Sequence, residues 1–307
     1  MRYLIEHESV LHFPRPVREH QFELRLAPRD DAGPAASRNP SERAGQRCLA
    51  CAIEVEPAAA LRTHLDCFGN RVHRVSLLAP HDALRVRVSA EVETALANPF
   101  DYAPLAPHEE RRWLEQQLRD DPLLLDFVLH RSDAVPEITG ALAELAPPAF
   151  ASDRDLLQNM VALMAFAGAT FRYVPGTTAV HGALSEFAEQ RTGVCQDFAH
   201  FLVAVARSWG FAARYVMGYV DPGAVPLDAQ STEATHAWAE VLIPGAGWRG
   251  FDATAGLVAN DAYVPVAVGR DSRDAAPLRG TFKGEDGGLP PHVAVRVARV
   301  AEEQQVQ

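Results

Sequence analysis

The sequence predicts an α+β protein: an N-terminal antiparallel β-sandwich-like domain, a helical linker, and a core in which a cysteine-bearing helix packs on an antiparallel sheet. Three observations predict it. Period-2 alternation without a helical period fills the first part of the chain; apolar residues spaced three and four apart take over in the middle; and a strongly patterned helix after Cys195 is followed by three short strand patterns. At 307 residues the chain is long enough for two domains. A composition of 48% hydrophobic and 22% charged residues is that of a soluble globular protein and argues against long disorder.

The elements follow in order. In the N-terminal β domain (residues 1–96), "YLIEHESVLHF", "RCLACAIEVEP" and "ALRVRVSAEVE" alternate as strands. A Pro/Gly/Ser/Asp-rich loop, "APRDDAGPAASRNPSERAGQ", and a turn at Gly69-Asn70 in "DCFGNRVH" separate them. The helical linker (97–150) opens with the Pro-rich "NPFDYAPLAP". It continues with "HEERRWLEQQLRDDPLLLDFVLH", which has helical spacing at Trp113, Leu114, Leu118, Leu124 and Leu125, and closes at Pro147-Pro148. The core (151–268) starts with an amphipathic helix in "DRDLLQNMVALMAFAGATFRY" and a shorter one in "HGALSEFAEQ". After the cysteine segment come the strand patterns "AARYVMGYV", "THAWAEVLI" and "GWRGFDATAG". The tail (269–307) reads as a charged loop, "GRDSRDAAPLRGTFKG", and a last strand, "HVAVRVARV". There is no internal repeat.

"RTGVCQDFAH" raises the functional question, because Cys195 could be a packing residue, a metal ligand or a thiolate nucleophile. Behind it Phe198, Phe201, Leu202, Val205, Ala206 and Trp209 fall on one face of a helix that Gly210 ends. Gly193 lets the backbone turn tightly into that helix. Cys195 then occupies the first turn, where free N–H groups and the positive dipole end favour a thiolate. Alone, a cysteine beside a buried helix is more often packing than chemistry. Downstream residues change that balance. In "ATHAWAEVLI" the alternation puts His236, Trp238 and Glu240 on one face, and Ala237, Ala239 and Val241 on the other. Asp252 follows in "WRGFDATAG", across a "PGAG" link that favours a hairpin. Cysteine, histidine and aspartate on three elements are the parts of a thiol enzyme: the imidazole takes the thiol proton and the carboxylate fixes the imidazole. A direct Ile243–Trp248 pairing would put Asp252 on the wrong face, opposite Ala239. A one-residue bulge at Gly245 or Gly247 would bring it to the histidine face, diagonal to His236.

Taken together, "RTGVCQDFAHFLVAVARSWGFAARYVMGY", "THAWAEV" and "WRGFDAT" resemble the core motifs of transglutaminase-like proteins, a branch of the papain-like thiol enzymes. The segments "DCFGNRVHRVSLLAPHDALRVRVSAEVE" and "GRDSRDAAPLRGTFKG" resemble the bacterial two-part version, whose β domain precedes the core. The resemblance covers nearly the whole chain, least well the Asp30–Gln46 loop and the Gln-rich end. It implies a papain-like core with Cys195 as nucleophile, His236 as general base and acid, and Asp252 as the orienting carboxylate. The implied chemistry is acyl transfer through a thioester, with a peptide or protein as substrate and no cofactor. The family uses this core for crosslinking, peptide hydrolysis and deglycosylation, so the acceptor is left open. Hydrolysis is favoured here because nothing marks an amine-donor site. The resemblance further implies, as a partner, an ATP-dependent amide-forming enzyme whose peptide tag this chain would trim or transfer.

The oxyanion needs donors, and the backbone N–H of Cys195 is one. The Tyr215 and Tyr219 hydroxyls, four residues apart on one strand face, are further candidates, although Tyr215 reads equally as a core residue. Trp238 either walls an acyl channel or packs. Cys48-x2-Cys51 with His64 and Cys67 superficially resembles a zinc clip. An offset of three on a strand, however, puts Cys48 and Cys51 on opposite faces, and no tight-turn residue lies between them. No spaced acidic loop for calcium occurs, so no metal is expected. His200 lies about 140° around the helix from Cys195 and cannot serve as its base without distortion. Asp197 reads as a helix cap or loop anchor, and Asp66, Gly69 and Asn70 as a turn with a positive-φ demand.

The net charge of −11 and scattered basic residues argue against nucleic acid. No stretch has the roughly 20 apolar residues of a membrane span, and the charged "MRYLIEHESVLHF" is no signal peptide. The chain is expected to be cytoplasmic. The competing reading is a catalytically idle peptide-binding or assembly module on the same fold, against which the intact Cys/His/Asp set argues.

Overall fold

The computed structural model describes residues 1–30, 45–175, 182–227, 235–284 and 291–300. Most of the loop read between Asp30 and Gln46, and the Gln-rich end, lie outside them. Five strands come first: β1 (Arg2–Leu24), β2 (Gln46–Glu56), β3 (Arg62–Leu65), β4 (Arg71–Leu77) and β5 (His81–Thr94). Short and long helices follow: α1 (Pro107–Asp120), a 3₁₀ turn (Pro122–Leu125), α2 (Asp126–Leu129), α3 (Ala141–Glu144) and α4 (Leu156–Thr170). Next come β6 (Arg172–Tyr173), α5 (Leu184–Gln190), β7 (Thr192–Gly193) and α6 (Cys195–Ser208). The chain ends with β8 (Ala213–Val220), β9 (His236–Ile243), β10 (Gly247–Asp252), β11 (Leu257–Val258), β12 (Tyr263–Gly269), β13 (Leu278–Lys283) and β14 (His292–Arg299).

β1 organises the N-terminal unit. Its first half pairs antiparallel with β5 and β14, its second half with β4 and β13. The register breaks between His12 and Val17, across Phe13-Pro14-Arg15-Pro16, where proline offers no ladder N–H. Phe13, Val17, Phe22, Val75, Leu84 and Val86 fill the space between the two halves, giving the sandwich-like packing. The tail departs from its reading as loop plus strand. Leu278–Lys283 is a strand, which alternation hid because its inward face carries only Leu278 and Phe282, with Gly280 between them. Both tail strands return to β1, so the C-terminal end of the chain completes the N-terminal sheet.

The run read as one helical stretch after Pro107 breaks at Asp121. That residue is extended (φ −133°, ψ 91°), as the residue before Pro122 must be. Leu114, Leu124, Phe127 and Leu142 of this segment join Leu163 of α4 and Phe201 and Leu202 of α6 in one apolar cluster. On the other side of α6 lies the second sheet, in the order β11-β10-β9-β8-β12. Ala213, Ala239, Val241 and Phe251 turn toward the helical cluster. Tyr219, Val264 and Val266 pack instead against Tyr3, Ile5 and Val92 of the N-terminal sheet. Asn70, wholly buried, fixes this seam: its amide donates to Val268 O (2.7 Å) and accepts from Val268 N (2.8 Å). Its turn has the expected form, with Gly69 at φ +74° and the Asp66 carboxylate accepting from Phe68 N and Asn70 N. Among the described residues no helix is long and apolar enough to cross a membrane.

Candidate active site

α6 begins at Cys195, and the residues around it hold its first turn. Val194 is extended (φ −112°, ψ 174°) and its N–H donates to Asp197 Oδ2 at 2.8 Å, which makes Asp197 the cap read from the sequence. Gly193 is needed for a reason other than backbone freedom. A Cβ there would lie 2.5 Å from Asp197 Oδ2 and 2.6 Å from the Phe187 ring. At the helix's other end Gly210 takes φ +86° and closes it. Cys195 is half-buried against a group that includes Ala199, Tyr215, Met217 and Ala237.

His236 opens β9, and Asp252 closes β10. Histidine Nε2 and Asp252 Oδ2 are 2.8 Å apart, with both side chains 1% exposed. The expected bulge is absent. β9 and β10 pair without interruption from Gly247↔Ile243 to Phe251↔Ala239, one residue tighter than the pairing considered from sequence. A three-residue loop, Pro244-Gly245-Ala246, with Gly245 at φ +78° in its middle and Gly247 at φ +76° just after it, makes that register and puts Asp252 on the histidine face by itself.

Four donors hold the carboxylate. Asp252 Oδ1 accepts from Thr254 N (2.9 Å) and Ala255 N (3.2 Å), and Oδ2 from the Tyr263 hydroxyl (2.9 Å) as well as the imidazole. Burial alone would push Asp252 up, but His236 and these donors hold it below the usual carboxylate range. Burial would lower His236, yet the Asp252 charge and hydrogen bond, with Cys195 acting on the same ring, raise it to about 10. Nδ1, the ring nitrogen Asp252 does not use, has no hydrogen-bond partner among the described residues and is the one left for Cys195. The set can therefore hold an imidazolium beside a sulfur, fixed from behind by a carboxylate that stays charged.

Sequence reasoning missed Tyr263. It sits at the start of β12, and only the crossover that lays β12 beside β8 brings it to Asp252. One residue read as a substrate group is corrected. Tyr219 is fully buried and its hydroxyl engages His7 Nδ1 (3.2 Å) in the N-terminal sheet, so it is no oxyanion donor. Trp238, 1% exposed, stacks on His236 (6.2 Å between centroids) and meets Tyr263 edge-on (5.2 Å), so it packs the imidazole, and it also lines a small cavity with Glu240 and Trp248. Tyr215 lies close enough for Cys195 to act on its hydroxyl. Burial, then Cys195, raise that hydroxyl well above its ordinary value, so it remains a neutral donor. His200 accepts Ser272 N–H at 3.0 Å and is buried away from any base role. Beside His236, Thr235 lines a cavity of about 500 Å³ with Leu26, Ala276, Pro277 and Val293.

Comparison with known proteins agrees with this architecture. Residues 143–253 match the transglutaminase-like superfamily, and residues 3–93 the bacterial transglutaminase-like N-terminal region. An uncharacterised protein of Mycobacterium leprae is 30% identical over 98% of this chain and 99% of its own length. One of Mycobacterium tuberculosis is 34% identical over 76% of each. The crystal structure of a candidate cysteine protease from Cytophaga hutchinsonii shares the fold over 99% of this chain and 92% of that one, at TM-score 0.71 and 23% identity.

Proposed function

The chain belongs to the transglutaminase-like superfamily, in its bacterial form with the N-terminal β region, and from that premise we propose that it is a cysteine-dependent acyl-transfer enzyme cleaving peptide or isopeptide amides. Cys195 is the nucleophile, His236 the proton carrier and Asp252 its positioning residue. The observation that carries the reading is the buried His236–Asp252 pair with Cys195 acting on the same imidazole at a helix start.

In the forward step the Cys195 sulfur attacks the amide carbonyl carbon, and the carbonyl π pair moves to oxygen. The first N–H of α6, which has no intrahelical acceptor, faces that charge. As the tetrahedral centre collapses, the C–N bond breaks and the imidazolium gives its proton to the leaving amine. A thioester remains. Water attacks it with His236 accepting the proton, and the carboxylic acid and free thiol are released. Asp252 stays ionised throughout, held by its four donors. Water is the acceptor we favour, because no described residue beside the site offers an amine-donor subsite.

The test has two stages. Alkylation of Cys195 by iodoacetamide is followed against pH in the native chain and in His236→Ala; an enzyme shows a fast phase below pH 8 that the variant loses. A peptide library is then offered with and without a primary amine, and the acyl group on Cys195 and the products are weighed. Acyl-enzyme resolving to free carboxylate supports hydrolysis, and amine incorporation moves the reading to transamidation. Slow, His236-independent alkylation with no acyl-enzyme would leave a peptide-binding module.

A further inference from the structure

Outside the active site, β2 brings two cysteines together that its sequence would keep apart. Among the described residues β2 is an edge strand of the N-terminal sheet, paired with β5. Its register slips between Cys48 and Ala50: Cys48 faces Val92, Ala50 faces Glu91, and Cys51 faces Ala90. Leu49 is thus the extra residue of a bulge and is 40% exposed. Across the bulge an offset of three becomes an effective offset of two. Val92 and Ala90 share one face of β5, so Cys48 and Cys51 share the facing side of β2, correcting the expectation that they point apart. Both thiols are half-buried and neither is in a disulfide; the Cys48 thiol, when protonated, donates to Ala50 O at 3.6 Å. The Arg71 guanidinium, at the start of β4, lies near enough to act on the Cys48 sulfur.

We infer that Cys48 and Cys51 form a peroxide-reactive dithiol, in which Cys48 attacks and Cys51 resolves the product into a disulfide. The donors explain the asymmetry. The neighbouring Cys51 thiol and Arg71 bring Cys48 down to about 7, while Cys48 and burial hold Cys51 well above the ordinary thiol value. Of the two sulfurs Cys48 is the one that ionises first, and Cys51 the one that keeps its proton.

The chemistry balances in two steps. The Cys48 thiolate attacks one oxygen of a hydroperoxide; an S–O bond forms, the O–O bond breaks, and the departing alkoxide or hydroxide takes a proton from water. Cys48 is now a sulfenic acid. The Cys51 sulfur attacks the sulfenic sulfur; an S–S bond forms, the S–O bond breaks, and hydroxide leaves with the Cys51 proton as water. Two thiols are oxidised and one peroxide is reduced. The pair stands apart from the triad and does not depend on the acyl-transfer reading.

The full-length chain with Cys195→Ser is used, so that the catalytic thiol is silent. It is treated with hydrogen peroxide at pH 7, remaining thiols are alkylated, and the tryptic peptide that starts at Cys48 and contains both residues is weighed. We expect it to lose two hydrogens, recover them with dithiothreitol, and form about tenfold faster than exposed Cys67 is lost, because thiolate fraction sets the rate. Arg71→Gln is expected to slow closure about fivefold, and Cys51→Ser to leave Cys48 as a sulfenic acid that a cyclic 1,3-dione captures. Cys48 and Cys51 oxidising no faster than Cys67, or Cys48 passing to sulfinic acid with Cys51 still alkylatable, would overturn the assignment. Folding of each variant is checked by far-ultraviolet circular dichroism before treatment, and an unfolded variant is replaced by Arg71→Lys or Cys51→Ala.

Discussion

At the level of single residues the site rests on how Asp252 is held. Its four donors, two backbone and two side-chain, keep the carboxylate charged inside a dry pocket, which is what an imidazolium needs behind it. Asp252→Asn keeps the volume but lets the imidazole take the wrong tautomer, so kcat should fall about 10³–10⁴-fold while KM changes little. Tyr263→Phe removes only one of the four donors. It raises the Asp252 pKa, so the acid limb of the kcat/KM profile should move toward neutral, with a loss at pH 7 below about tenfold. A profile that keeps its acid limb in Tyr263→Phe would assign that hydroxyl a merely structural role. Cys195, His236 and Asp252 were legible in the sequence because a helix start, a strand alternation and a short hairpin are local patterns. Tyr263 was not, since its reach to Asp252 depends on β12 crossing to the far edge of the sheet. The misreading of Tyr219 has the same origin, and so has the choice left open at Trp238. Period two says which side chains share a face, and is silent on what body covers that face.

Secondary elements were read well where their pattern was amphipathic, and poorly where geometry depended on a single inserted or omitted residue. α4, α5, α6, β8 and β9 follow their apolar spacing. The β9–β10 register and the β2 bulge do not, because each turns on a shift of one position that alternation tolerates. The join between β7 and α6 is the most sensitive of these places. Gly193→Ala would thrust a methyl group into Asp197 Oδ2 and the Phe187 ring. Asp197 must then release the Val194 N–H, and the turn that presents Cys195 loosens. We expect a cost of about 1–3 kcal/mol in stability from overpacking and a lost cap. Cys195 alkylation should lose its dependence on His236 although both residues remain. Denaturant melts paired with alkylation kinetics would check this; an unaltered His236 dependence would mean that the first turn is held by something else.

For the whole molecule, the seam between the N-terminal sheet and the core sheet and the buried charges on either side of it set how stability varies with pH. The seam itself can be probed at Asn70: Asn70→Ala strips both backbone groups of Val268 of their partner, and should cost about 2–4 kcal/mol in denaturant unfolding. The pH response needs its sign worked out group by group. Burial holds His7 at about 4 and, with His81 nearby, His20 at about 4; His73 is lowered in the same way. These native histidines refuse protons that the unfolded chain accepts below its ordinary 6.5, so stability falls as pH drops from 6.5 toward 4. Glu110, pushed by burial to about 7, runs the other way and loses stability between 4.5 and 7, but it is one group against three. His236 acts on the alkaline side. Its native value near 10 exceeds the unfolded 6.5, so its contribution is complete below 6.5 and drains away as pH rises to 10. Unfolding free energy should therefore peak between pH 6 and 7, with an acid limb belonging to the N-terminal sheet and an alkaline limb belonging to the active site. Guanidinium melts from pH 4 to 10 read both limbs. Asp252→Asn should flatten the alkaline limb and leave the acid one, and His7→Asn should make the acid limb shallower, His20 and His73 remaining, and leave the alkaline one. A wild-type curve that keeps rising past pH 8 would show that the imidazolium is not held in the native state, and the acyl-transfer reading would lose its proton donor.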